Sequence, residues 1–66
     1  MSKFDDLGQA VRNLEADFQK FYDKGQAAAG TRLRKGLSDL RKLAQEVRKD
    51  IQEVKARRKA DKQQQQ

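Results

Sequence analysis

Cysteine, histidine, proline and tryptophan are all missing from this 66-residue chain. Without cysteine there is no disulfide, and without cysteine or histidine the usual zinc ligand sets cannot be assembled. The absence of histidine also removes the commonest general base. Ser2, Thr31 and Ser38 have no evident base to activate them, so neither a catalytic site nor a small-molecule substrate is expected. The segment "GTRLRK" lacks the spacing of a phosphate-cradling loop, and no cofactor is implied. Aromatics are limited to three Phe and one Tyr. No apolar run is long enough for a membrane span or a signal-peptide core, which places the chain in the cytoplasm. A chain of this length has room for one domain at most, with a marginal core. With disulfides and metals excluded, oligomerisation is the remaining way to stabilise it.

What is present in quantity is charge, at 39% of residues against 35% hydrophobic. Such a balance fits either a disordered polar chain or a long-helix protein. The wealth of Ala, Leu, Lys, Arg, Gln and Glu without proline favours helix. Residues 1–23 carry three basic and five acidic side chains, a net of −2. Residues 24–66 carry thirteen basic and five acidic, a net of +8. Halves of opposite sign suggest that one segment meets an anion while the other does structural work.

Two amphipathic helices are legible. Phe4, Leu7, Val11, Leu14, Phe18 and Phe21 alternate steps of three and four residues, and so do Leu33, Leu37, Leu40, Ala44, Val47, Ile51 and Val54. Both are heptad seams. The spacing predicts a first helix over about residues 3–24. Ser2 is its N-cap, with Asp5 in a capping-box-like role and Asp5 and Asp6 complementing the dipole. A turn follows at Gly25, a residue suited to the left-handed position after a helix. The second helix is expected over about 26–60, with a disordered polar tail over 61–66. The fold class is all-α: an antiparallel two-helix hairpin with a coiled-coil seam, dimerising. A tight turn sets Phe18 against Leu33, Leu14 against Leu37, Val11 against Leu40, Leu7 against Ala44 and Phe4 against Val47. A longer loop over 25–30 sets Phe4 against Val54 instead. The first register is preferred because Ala27 to Ala29 are strong helix formers. Gly30 and Gly36 read as close-packing positions. In this register Ile51 and Val54 overhang the first helix and Leu43 widens the apolar face. Leu43, Val47, Ile51 and Val54 are therefore the expected interface of a homodimer or higher homo-oligomer.

The dipeptide Arg-Lys occurs three times at seven-residue intervals, as Arg34-Lys35, Arg41-Lys42 and Arg48-Lys49, and Lys55 continues the step. Residues seven apart line one helix face about 10.5 Å from each other. With Leu37 at heptad position a, Arg34, Arg41, Arg48 and Lys55 fall at e, and Lys35, Lys42 and Lys49 at f. Asp39, Glu46 and Glu53 fall at c. Charged e positions flank most coiled-coil seams, so a solvated face is the bland reading. Glu15 at e of the first helix is placed to reach Arg34 or Arg41 across the hairpin. Against the bland reading, the first helix has too few acids to neutralise the edge. The row from Arg34 to Lys55 extends about 31 Å, close to one turn of duplex DNA. Arg57, Arg58, Lys59 and Lys62 add a basic arm and Arg32 adds charge near the turn. Such a surface fits backbone binding to double-stranded DNA, with affinity from counterion release and no sequence preference. Backbone electrostatics do not separate RNA from DNA. With the Phe residues on the seam, base stacking on an aromatic platform is not expected.

The stretch "KFYDKGQAAAGTRLRKGLSDLRKLAQEVRKDIQ" resembles the bacterial linker-histone-like proteins of the chlamydial nucleoid-condensing type. In particular it is similar to the short relatives, whose core Lys24, Gly25, Ala28, Ala29, Gly30, Thr31, Arg32, Arg34 and Lys35 match. The resemblance covers most of residues 3–55. It implies a non-enzymatic, nucleoid-associated protein that binds DNA and compacts the chromosome. The long Lys/Ala/Pro-rich tail of the chlamydial members is missing here, which raises the importance of oligomerisation.

Two other classes compete. One is a coiled-coil interaction module that binds an acidic protein, recognisable by a pull-down that survives nuclease treatment. The other is a membrane-surface helix, for which the chain lacks tryptophan and for which its apolar residues are better explained as a seam.

Overall fold

In the computed structural model, residues 2–65 are described, with side chains as far as Asp61. All regular structure among them is helical: α1 (Lys3–Arg12), α2 (Glu15–Tyr22) and α3 (Ala27–Gln65). The molecule is a rod of 61 × 17 × 14 Å. Its length is that of α3, whose 39 residues extend about 58 Å at helical rise.

The start of α1 follows from its capping chemistry. Ser2 is extended, and its hydroxyl accepts from the Asp5 amide at 3.1 Å. Asp5 and Asp6 occupy the first turn, where the helix dipole favours negative charge. The first helix expected over 3–24 is interrupted at Asn13 and Leu14. There the Leu14 amide donates to the Val11 carbonyl at 3.0 Å, a tighter turn than the α-helical one. Asn13 is a weak helix former whose side-chain oxygen instead accepts from Gln9 Nε2 at 2.7 Å. Leu14, next to it, is turned into the core.

After α2 the chain reverses at Gly25, which has a φ of +66°. The Gly25 amide donates to the Phe21 carbonyl at 3.1 Å, and the Gln26 amide to Lys20 at 3.0 Å. This is the left-handed helix cap that glycine adopts without steric cost. Helix α3 then runs through the polar tail expected over 61–66. No glycine or proline after Gly36 stops it, and Lys, Ala and Gln are good helix formers. Residue 66 lies outside the described residues.

α1 and α2 fold back along α3. Phe21 meets Gly30, Leu14 meets Gly36, Asp17 pairs with Arg32 and Lys3 with Asp50. The two glycines let the segments approach closely. A Cβ on Gly30 would stand 2.7 Å from the Phe21 ring, and one on Gly36 would overlap a Leu14 methyl.

The core is smaller than the seams suggest. Leu14, Ala29 and Leu33 are buried, while Leu7, Leu40, Ala44 and Val47 are half-buried. Of the other seam residues, Val54 is half-buried and Phe4, Val11, Phe18, Phe21, Leu37 and Ile51 are exposed, Phe4 by 81%. Two helices in contact can cover only the strip between them. The wide aromatic side chains of α1 and α2 spill over one side of that strip.

A candidate nucleic-acid interface on helix α3

The expected DNA-contacting residues Arg32, Arg34, Lys35, Arg41, Lys42, Arg48, Lys49, Lys55, Arg57, Arg58 and Lys59 all lie on α3 and are all exposed. The backbone of Lys62 belongs to the same helix, and its side chain lies outside the described residues. The basic arm from Lys55 onward is therefore helical rather than extended through the described residues. Its charges spiral around the axis instead of forming a flat ribbon.

Arg32 differs from the rest. Its guanidinium meets Asp17 Oδ1 through Nε and Nη2, both at 3.1 Å, and this contact ties α2 to α3. The other ion pair among the described residues joins Lys3 to Asp50 at 4.0 Å. Arg34, Arg41 and Arg48 have no carboxylate partner within ion-pair distance among the described residues. Glu15, expected to reach Arg34 or Arg41 within the chain, does not. The contact across to α3 is made instead by Asp17, two residues further along α2. Arg48 Nη1 donates to Gln45 Oε1 at 3.2 Å, which steadies one guanidinium without neutralising it. Arg41, Lys42, Gln45, Glu46, Arg48 and Lys49 together line an open groove on the outer surface of α3.

The four residues expected at an oligomer interface are distributed unevenly. Leu43, Val47 and Val54 are half-buried, and Ile51 is exposed. The larger uncovered apolar surface lies near the turn, where Phe21, Tyr22, Gly30, Leu33, Arg34 and Leu37 share a groove. Tyr22, 71% exposed, stacks with Phe18 at 6.1 Å and meets Phe21 edge-on at 5.0 Å between ring centroids. Its position off the a and d steps is the signal that it lies outside the seam.

A family model for the histone H1-like protein Hc1 matches residues 1–57. The chain belongs to this histone H1-like family, whose members are nucleoid-associated, DNA-packaging proteins rather than enzymes. No curated protein matches the chain significantly, and no solved structure does. Among the described residues no helix is long and apolar enough to cross a membrane.

Proposed function

We propose that this protein binds the backbone of duplex DNA without sequence preference and contributes to organising or compacting the bacterial chromosome. The contact surface is the basic edge of α3, continued by Lys55, Arg57, Arg58 and Lys59. The observation that carries this reading is the row Arg34, Arg41 and Arg48, exposed and without carboxylate partners, with Lys35, Lys42 and Lys49 alongside. Such cations displace the counterions condensed on DNA, and phosphate contacts carry no direct sequence information. The antiparallel hairpin of α1 and α2 on α3 is the scaffold that holds the row straight, and two hairpins associate in the functional particle.

A gel-shift titration on several random duplexes of equal length, repeated at several salt concentrations, tests the reading. Affinities should agree between sequences and fall steeply with salt. A marked preference for one sequence, or affinity that does not respond to salt, would contradict it. The same titration on duplex RNA reports whether the surface distinguishes the two polymers.

A further inference from the structure

The basic row of α3 and the exposed aromatic cluster meet at one residue. Arg34, the first arginine of the row, also lines the apolar groove at the turn with Phe21, Tyr22, Thr31 and Leu37. Arg41 and Arg48 lead away from that groove in steps of about 10.5 Å along α3. Phenylalanines hidden in the seam would leave no surface for base stacking. The structure departs from that expectation: Phe18, Phe21 and Tyr22 are all exposed. The Phe18 and Tyr22 rings lie within 15° of parallel, and Phe21 meets Tyr22 edge-on. The three rings thus form one ordered cluster. Its α2 rim is acidic. Asp23 follows Tyr22, and Glu15 lies seven residues before it, on the same helix face.

We infer that this groove takes an unpaired base of a single-stranded nucleic acid, with Tyr22 as the stacking surface and Arg34, Arg41 and Arg48 on the phosphates of the same strand. The inference rests on the arginine row of the function proposed above and adds a second form of ligand to it. A duplex offers the row its phosphates but keeps its base faces stacked inside, so only an unpaired strand engages both surfaces. Three observations select this occupant. The first is chemical. An exposed ring beside a cation matches a nucleotide, whose base is flat and apolar on its faces and whose phosphate is anionic. A purely apolar occupant would cover the guanidinium of Arg34 without supplying an anion, and burying an unpaired charge is costly. The second is continuity. The row begins at the groove, so a strand anchored there by one base passes two further arginines along α3. The third is orientation. Glu15 and Asp23 repel phosphate from the α2 side, which lays the strand with its backbone over α3 and its bases toward α2. The inference also explains a regularity of the repeat. The e position, which runs into the aromatic cluster, holds arginine in all three dipeptides, and f holds lysine. A planar guanidinium pairs with phosphate and stacks on flat faces, whereas an ammonium does only the first.

Three probes of equal length test the site: an oligodeoxythymidine strand, the same strand built from abasic nucleotides, and a blunt duplex. The chain has one tyrosine and no tryptophan, so its intrinsic fluorescence reports on Tyr22 alone. The base-bearing strand should bind at least about fivefold tighter than the abasic one. It should also quench the tyrosine emission, which the abasic strand should leave unchanged. Tyr22→Leu keeps an apolar side chain and good helix propensity at an exposed site. It should make the two strands equal in affinity and leave duplex binding as it was. Tyr22→Phe keeps a ring and should preserve the difference. Equal binding of base-bearing and abasic strands by the parent would overturn the inference, and so would a difference that survives Tyr22→Leu. If Tyr22→Leu instead lowers the sedimenting mass while the parent treats both strands alike, the groove belongs to a second copy and the inference falls. Should Tyr22→Leu lose helicity, the strand comparison and the quench in the parent decide. The duplex separates this from the function proposed above. Salt-dependent duplex binding without an effect of the bases would reject the stacking site and leave that function intact. An effect of the bases without duplex binding would do the reverse.

Discussion

The turn end of the molecule and the far end of α3 are both helical, yet they differ in state. Between residues 14 and 36 the start of α3 meets α2 and the Leu14 turn before it: Leu14, Ala29 and Leu33 are buried, and glycines admit Phe21 and Leu14 against the backbone of α3. From Lys55 to Asp61 every side chain is exposed and the helix stands by itself. The seven-residue repeat sets which face of a helix is apolar or basic. Burial needs more: a neighbouring helix at the right level, and small residues that let it come close. The two ends should therefore respond to different perturbations, stability to changes at the turn and anion binding to changes along α3.

The largest expected effect is on folding, from Leu14→Ala. It removes one of the three residues buried among those described, and burial losses of this kind cost about 2–5 kcal/mol. Thermal melts followed by circular dichroism should show the cooperative transition lost or moved far down. The matched control Ile51→Ala, at an exposed site outside the turn end, should change folding much less. Equal effects from the two would remove the distinction between packed and unpacked regions.

Next in size is Gly36→Ala. On an isolated helix the substitution gains about 1 kcal/mol in propensity. Here the added methyl overlaps the Leu14 side chain, and overpacking of that kind costs about 1–3 kcal/mol. A net loss of stability is expected, with DNA affinity of the folded chain unchanged. A higher melting temperature would show that Leu14 does not need the space that glycine provides.

A smaller effect, confined to binding, is expected from Arg41→Gln with Lys42→Gln. Both side chains are exposed and glutamine keeps the helix propensity, so melting should hold steady. Each lost phosphate contact should lower the slope of log K against log[salt] by about 0.9 on B-DNA. Arg48→Gln with Lys49→Gln should behave alike, one heptad further on. Asp39→Asn and Glu46→Gln should leave affinity equal or higher. If the Arg41/Lys42 variant keeps both its affinity and its slope, the row is a solvated face and the arm from Lys55 is the better candidate for the contact.

How much of this was legible beforehand depends on which interactions are local. Ser2 as cap, Gly25 as turn and the all-helical class follow from chemistry within a few residues, and each is found. The histone-like resemblance, carried by Lys24 to Lys35, agrees with the family match over residues 1–57. The break at Asn13 was not legible. An uninterrupted apolar spacing runs across it, and only the packing of Leu14 on Gly36 shows why the chain tightens there. Nor could spacing alone tell that Phe4 and Phe18 lie outside the intrachain core, since periodicity describes one helix and burial involves two. The candidate site was readable as a list of basic residues. Which of them are already held by an acid was not.

Arg32 provides the finest division within that list. It shares helix α3 with the other arginines, but it is held by Asp17 through two donors. A guanidinium so engaged has less to gain from a phosphate, because it must first give up a carboxylate. Arg32→Gln should therefore change the salt slope of DNA binding less than Arg41→Gln does. The pair is partly exposed, and contacts of this type contribute about 0–1 kcal/mol, so melting should fall only slightly. Asp17→Asn provides the sharper measurement. It leaves Arg32 in place without its anionic partner, and if phosphate then takes that partner's role the slope should steepen by up to about 0.9. Adding Arg32→Gln to Asp17→Asn should abolish the gain. Should Arg32→Gln alone lower the slope as far as Arg41→Gln, then position on the helix counts for nothing and net charge alone sets the affinity.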